Sequence, residues 1–182
     1  MATLISSNTI QDKSTILGDA ITGAVAGTLG VGVLDQVANF LYNREDSAAL
    51  AREKFARQEI GSDEVGPASL AARKINQKLK LDLTPKQTDR LSSVIHYGLG
   101  TVPGAFYGVL IGRYKKISVG HGFLYGLGLS LINDELMSVQ LGLANKPSRY
   151  PWQAHARGLA AHVALGMVTY WGIQAFSKAF RC

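Results

Sequence analysis

The sequence predicts an all-α integral membrane protein: four transmembrane helices, with a helical surface excursion between the first and the second. Three observations carry this expectation. Four apolar stretches, at about residues 16–42, 94–112, 117–132 and 158–176, each approach the length of helix that crosses a bilayer's hydrocarbon core. Charged residues make up only 18% of the chain and hydrophobic ones 47%, a low charged share for a protein in water. Ten basic and eight acidic residues, more than half of all the charges, fall in the excursion at residues 43–91, so one polar segment masks the membrane signal in bulk averages. A chain of 182 residues is too small to wrap four wholly apolar helices in a water-facing shell, and it reads as one membrane domain.

The first span carries no charge from Ala20 to Leu34 and is interrupted late by Asp35 and Gln36. The residues before it hold one lysine beside one aspartate and no compact apolar run, so they do not read as a cleavable signal peptide. In the excursion, Asp46 or Ser47 starts a surface helix running to about residue 60, and residues 61–66 break it. Pro67 then suits the first turn of a second helix that ends near Leu79, whose Leu70, Ile75 and Leu79 are spaced to lie along the interface. Thr84, Pro85 and Gln87 form a capping box with proline at the first helical position. The second span is therefore expected to begin in water and run inward. The third span is the shortest, and its uncharged part resumes beyond Asn133, Asp134 and Glu135 as far as Leu143, which leaves its lower end open. The excursion and the 144–157 loop together hold thirteen basic residues, against six in the two termini and the 113–117 turn. That count places the excursion in the cytoplasm and both termini outside.

Glycine spacing is the most specific pattern. Gly100, Gly104, Gly108 and Gly112 repeat every four residues on the second span. Gly23 and Gly27 stand on the first, Gly122, Gly126 and Ser130 on the third, and Gly158 and Gly166 on the fourth. Helices in lipid associate through close backbone packing, so small residues four apart mark contact faces. The stripes of spans two and three, joined by a short turn, are expected to pack on each other. Pro103 within the stripe removes a backbone donor and should kink the helix.

The same four-residue step leads to ionisable side chains, His96, Asp134 and His162, with Asp19 and Asp35 bracketing Gly23 and Gly27. Together with the nearby Glu135 and His155, Asp35, His96, Asp134 and His162 form a candidate polar cluster. Such groups at membrane depth are costly, and they pair with each other, line a hydrated path, or sit near span ends where water and headgroups solvate them. Glu135 is expected to turn toward the loop and its Arg149, His155 or Arg157, with Asp134 facing the bundle.

Several functions find no support. There is no P-loop, no nucleophile elbow, no dinucleotide fingerprint and no HExxH-type metal spacing. The single cysteine, Cys182, cannot build a disulfide or a thiolate cluster. No metal or cofactor is expected; two histidines on facing helices are the minimum for axial ligation of a tetrapyrrole, and nothing else calls for one. The net charge of +6 comes without a nucleic-acid-binding motif and is accounted for by phospholipid headgroups.

The order of features resembles the YagU-like family of bacterial inner-membrane proteins of unknown function. The resemblance rests on Gly66-Pro67-Ala68-Ser69-Leu70-Ala71-Ala72-Arg73-Lys74-Ile75, on His96-Tyr97-Gly98 with Gly104 and Tyr107-Gly108, and on Asp134-Glu135. It continues through Leu141-Gly142-Leu143, Pro147, Tyr150-Pro151, His155, Gly158-Leu159 and Ala161-His162 with Gly166. Residues 137–140 depart from it in lacking a proline. It implies a multi-span protein of the bacterial cytoplasmic membrane and supplies no catalytic or binding residues.

The leading expectation is a non-enzymatic structural or accessory component whose glycine faces pack within its own bundle and against partner subunits or further copies of itself, in contact with membrane lipids. The alternative is a small transporter or proton-handling protein using the polar cluster, and the third is a membrane enzyme acting on lipid. Gathering of these ionisable residues around one cavity favours the alternative, whereas separate, individually hydrogen-bonded positions favour the structural role.

Overall fold

The computed structural model describes residues 15–62 and 66–179, without the side chain of Lys115; the expectations for residues 1–14 and for Cys182 lie outside them. The described residues form helices and turns, with no strand. In chain order these are α1 (Ile16–Tyr42), α2 (Ser47–Gln58), α3 (Pro67–Leu79), α4 (Pro85–Arg113), a 3-10 turn (Lys115–Ser118), α5 (Phe123–Leu129), a π-helical segment (Ser130–Met137), α6 (Ser138–Gln140), a second 3-10 turn (Pro147–Arg149) and α7 (Trp152–Ala179).

Local chemistry sets most of these boundaries. Asp46 opens α2 by accepting hydrogen bonds from the backbone N–H groups of Ala48 and Ala49, which answers two of the donors a helix start leaves unpaired. Thr84 and Gln87 close a reciprocal capping box at the head of α4, with Pro85 at its first position. The helix therefore starts nine residues before the expected span: intrahelical hydrogen bonding continues where apolar composition stops. For the same reason α7 begins before residue 158.

Three helices, α1, α4 and α7, are long and apolar enough to cross a membrane. The expected third span differs from what the structure shows. Gly120, His121 and Gly122 all have positive φ, at +83°, +50° and +90°, and three consecutive left-handed residues cannot lie within a right-handed helix. The helix begins only at Phe123 and then continues, through the π-helical segment, to residue 140. Asp134 and Glu135 stand inside that segment and do not end the helix, because each meets an imidazole on α7.

α1 lies between α4 and α7, α5 packs on α7, and α3 packs on α4. The core is thin. Ala26, Tyr107, Tyr170 and Ile173 form one buried cluster, and Val31, Leu129 and Leu165 another. The outer faces carry large apolar side chains in the open: Leu17, Ile21, Val25 and Leu29 on α1, Val94, Val102 and Phe106 on α4, and Leu124, Leu131 and Leu136 on the α5–α6 run. Contiguous apolar surface on this scale is not sustained in water.

Candidate functional site

The glycines decide how closely the helices approach. A methyl group on Gly104 would sit 2.6 Å from the carbonyl oxygen of Gly23 and 2.9 Å from Cα of Gly27, and one on Gly27 would sit 2.4 Å from the carbonyl oxygen of Gly100. The stripe of α4 therefore faces α1 and not the third span as expected. Gly122 and Gly126 instead meet α7, where a methyl group on each would lie 2.1 Å from the carbonyl oxygen of Gly166 and 2.2 Å from that of His162. The 3-10 turn and the left-handed residues after α4 turn the chain so that α5 comes to lie on α7. Gly112 abuts the Asp19 carboxylate, and a methyl group on Gly158 would lie 3.3 Å from that of Asp134. The α1–α4 pair is further tied by a 2.7 Å hydroxyl contact between Thr28 and Thr101 and, at the other end, by an Arg113–Asp19 ion pair at 3.1 Å.

All six residues of the candidate polar cluster are paired, carboxylate to imidazole. His96 Nε2 lies 2.8 Å from Asp35 Oδ1, joining α4 to α1. His162 Nδ1 lies 3.2 Å from Asp134 Oδ2 and 3.0 Å from the carbonyl oxygen of Gly158. His155 Nδ1 lies 2.6 Å from Glu135 Oε1, while its Nε2 lies 3.0 Å from the carbonyl oxygen of Pro147. Both ring nitrogens of His155 therefore face oxygen atoms. The widened π-helical turn brings Asp134 and Glu135 to the same helix, α7, seven residues apart; π-helical turns inside helices recur at working sites.

The three pairs stand at one end of the bundle, the end that carries the excursion. A cavity of about 290 Å³ there is walled in part by Asp134, Glu135, His155, His162, Ser130 and Ser138. A second of about 160 Å³ shares Asp134, Ser138 and His162 with it and adds His96. Asp35 is bonded to His96 and lies behind it.

Above this chamber α2 is held down by charge. Arg157 of α7 is paired with both Glu45 and Glu53, and all three side chains are at least nine-tenths buried. Glu53 also pairs with Arg57. Farther out Glu59 accepts from Arg149 and Asn145, and these contacts hold its carboxyl below the ordinary 4.5, the Arg149 hydrogen bond contributing most. Glu45 and Glu53 were not among the sequence-predicted residues. One signal was present for Glu53: it lies four residues after Ala49 and three before Ala56, on the one buried stripe of α2, where an acid requires a partner.

Comparisons with protein-family models, curated proteins and solved structures find no match to this chain.

The chemistry the chamber can perform follows from its groups. Among the described residues no three His, Cys, Asp or Glu side chains converge as a metal would need. Both nitrogens of His155 and Nδ1 of His162 are engaged by carboxylates and carbonyls. Toward the other end, Tyr107 and Tyr125 stack at 4.1 Å and, with Ala26, Tyr170 and Ile173, fill the interior. The chamber is accordingly blind in this conformation.

Proposed function

We propose that this chain is a small integral membrane protein of four spans, residues 123–140 supplying the fourth, whose working part is a proton-handling chamber at the excursion end of the bundle. The carrying observation is that His96, Asp134, Glu135, His155 and His162 line two adjoining cavities, each paired carboxylate to imidazole, with Asp35 behind His96. Histidine is the side chain whose charge changes near neutral pH, and paired ionisable groups among membrane helices mark proton relays. The resemblance to YagU-like proteins and a bacterial cytoplasmic membrane location belong to this proposal.

The test is proton flux into liposomes that contain the purified protein and a trapped pH dye, under an imposed gradient. Flux above that of empty vesicles, and its loss in an Asp134→Asn, His162→Gln variant, is the expected result. Wild-type flux equal to that of empty vesicles, or unchanged in the variant, overturns the proposal.

A structural role as an accessory subunit is the second reading, favoured by the blind inner end of the chamber. Against it, the glycine faces are spent within the chain: Gly23, Gly27, Gly100, Gly104, Gly108, Gly122, Gly126 and Gly166 all abut the chain's own backbone or side chains. Native mass spectrometry from mild detergent separates the two, since an accessory subunit is retained with its partners.

A further inference from the structure

One packing pattern occurs twice among the described residues. Gly23, Gly27 and Asp35 on the first helix of one antiparallel pair have the spacing of Gly122, Gly126 and Asp134, which run from the left-handed residue that caps α5 through α5 into the π-helical segment of the other. The surroundings match as well as the spacing. Gly104 sits against the carbonyl oxygen of Gly23 and Cα of Gly27; Gly166 sits against the carbonyl oxygen of Gly122 and Cα of Gly126. In both pairs the aspartate lies eight residues beyond the second glycine and meets a histidine of the second helix, Asp35 with His96 and Asp134 with His162. The α1–α4 and α5–α7 pairs are thus two versions of one helix hairpin, and each delivers an aspartate–histidine dyad to the same end of the bundle.

The cavity of about 160 Å³ lies between these dyads, with His96 of one hairpin and Asp134 and His162 of the other on its walls. Its remaining walls are largely apolar and include Val31, Leu99, Leu129 and Leu165, and no lysine or arginine lines it. No lysine or arginine balances the carboxylate of Asp134 on its wall or that of Asp35 behind His96, an arrangement that suits a cation over an anion. Apolar walls suit an organic cation over a strongly hydrated metal ion. About 160 Å³ holds roughly five water volumes, which sets the scale of a small amine.

We propose that the cavity between the two aspartate–histidine dyads binds a small protonated organic amine, the ammonium group shared between the dyads and the carbon chain against the leucines. This deepens the proton-handling reading and rests on the chamber being the working site.

The experiment is isothermal titration calorimetry of the full chain in detergent with n-butylammonium chloride, and with n-butanol and sodium butyrate as the neutral and anionic counterparts. Saturable heat with butylammonium alone is expected. Binding should be at least about ten-fold weaker in Asp134→Asn, the loss expected when a charged hydrogen-bonding partner is removed. It should disappear in Ala68→Phe, which fills the cavity from α3 while leaving every dyad residue in place and decides the matter if Asp134→Asn fails to fold. Absence of butylammonium binding, equal binding of the three compounds, or binding untouched by Ala68→Phe overturns the proposal. Proton flux without amine binding would overturn this proposal and leave the proton-handling reading standing. Amine binding without proton flux would do the reverse.

Discussion

Gly98 and Gly104 stand six residues apart on α4 and meet opposite surroundings. A methyl group on Gly98 finds open space within 4 Å, whereas one on Gly104 meets the backbone of Gly23 and Gly27 at under 3.0 Å. Backbone cannot move aside as a flexible side chain can. Gly104→Ala is therefore expected to cost about 1–3 kcal/mol of stability and Gly98→Ala to cost nothing, as read from thermal unfolding in detergent. Arg157 presents the same logic for charge. It stands between Glu45 and Glu53, with side-chain exposures of 10%, 7% and 5%. Arg157→Met strands the buried Glu45 carboxylate and leaves Glu53 with Arg57 alone, and should destabilise by about 3–5 kcal/mol, the usual result of breaking a buried ion pair from one side. Adding Glu45→Gln and Glu53→Gln to that variant should recover part of the loss. At this scale the sequence pointed to the glycines and the six ionisable residues, because their spacing is visible in one dimension. Glu45 was not visible, since its partner lies 112 residues away.

Elements show a different division. The start of α4 is written locally: the Thr84 hydroxyl accepts from Gln87 N–H, and the Thr84 N–H donates to the Gln87 side chain at 2.8 Å. Thr84→Ala should remove about 1 kcal/mol from that end, seen as faster amide hydrogen exchange in the first turn of α4 and unchanged exchange near Gly104. The path from α4 into α5 was not legible. A right-handed helix and a left-handed turn have similar composition where glycine is frequent, and the positive φ of His121 has no sequence mark. Nor does spacing announce the π-helical segment. It persists because its two acids are bonded to α7, which is a tertiary reason for a local departure.

For the whole molecule, the excursion is a cap seated on the bundle. Few of its side chains are buried: Ala49, Glu53, Ala56, Leu70 and Ala72 among α2 and α3. Its attachment runs through Arg157, through Lys74 donating at 2.6 Å to the carbonyl oxygen of Gly142, and through Glu59 with Arg149. Because the Arg149 hydrogen bond depresses the Glu59 carboxyl below its ordinary 4.5, this contact contributes fully above that value and is lost as pH falls through the lower, folded one. Limited proteolysis of the α2 region should accelerate across that acid range in the wild type and show no such step in Glu59→Gln. Net apolar length, caps and glycine periodicity needed only neighbours a few residues away, so an all-helical chain with membrane-length helices and a helical excursion could be read from residue order alone. Which glycine stripe meets which is not encoded in any stripe, because all of them offer the same flat backbone. Only packing α1 between α4 and α7 distinguished them, and the same packing brought Asp35, Asp134 and Glu135 against histidines on other helices.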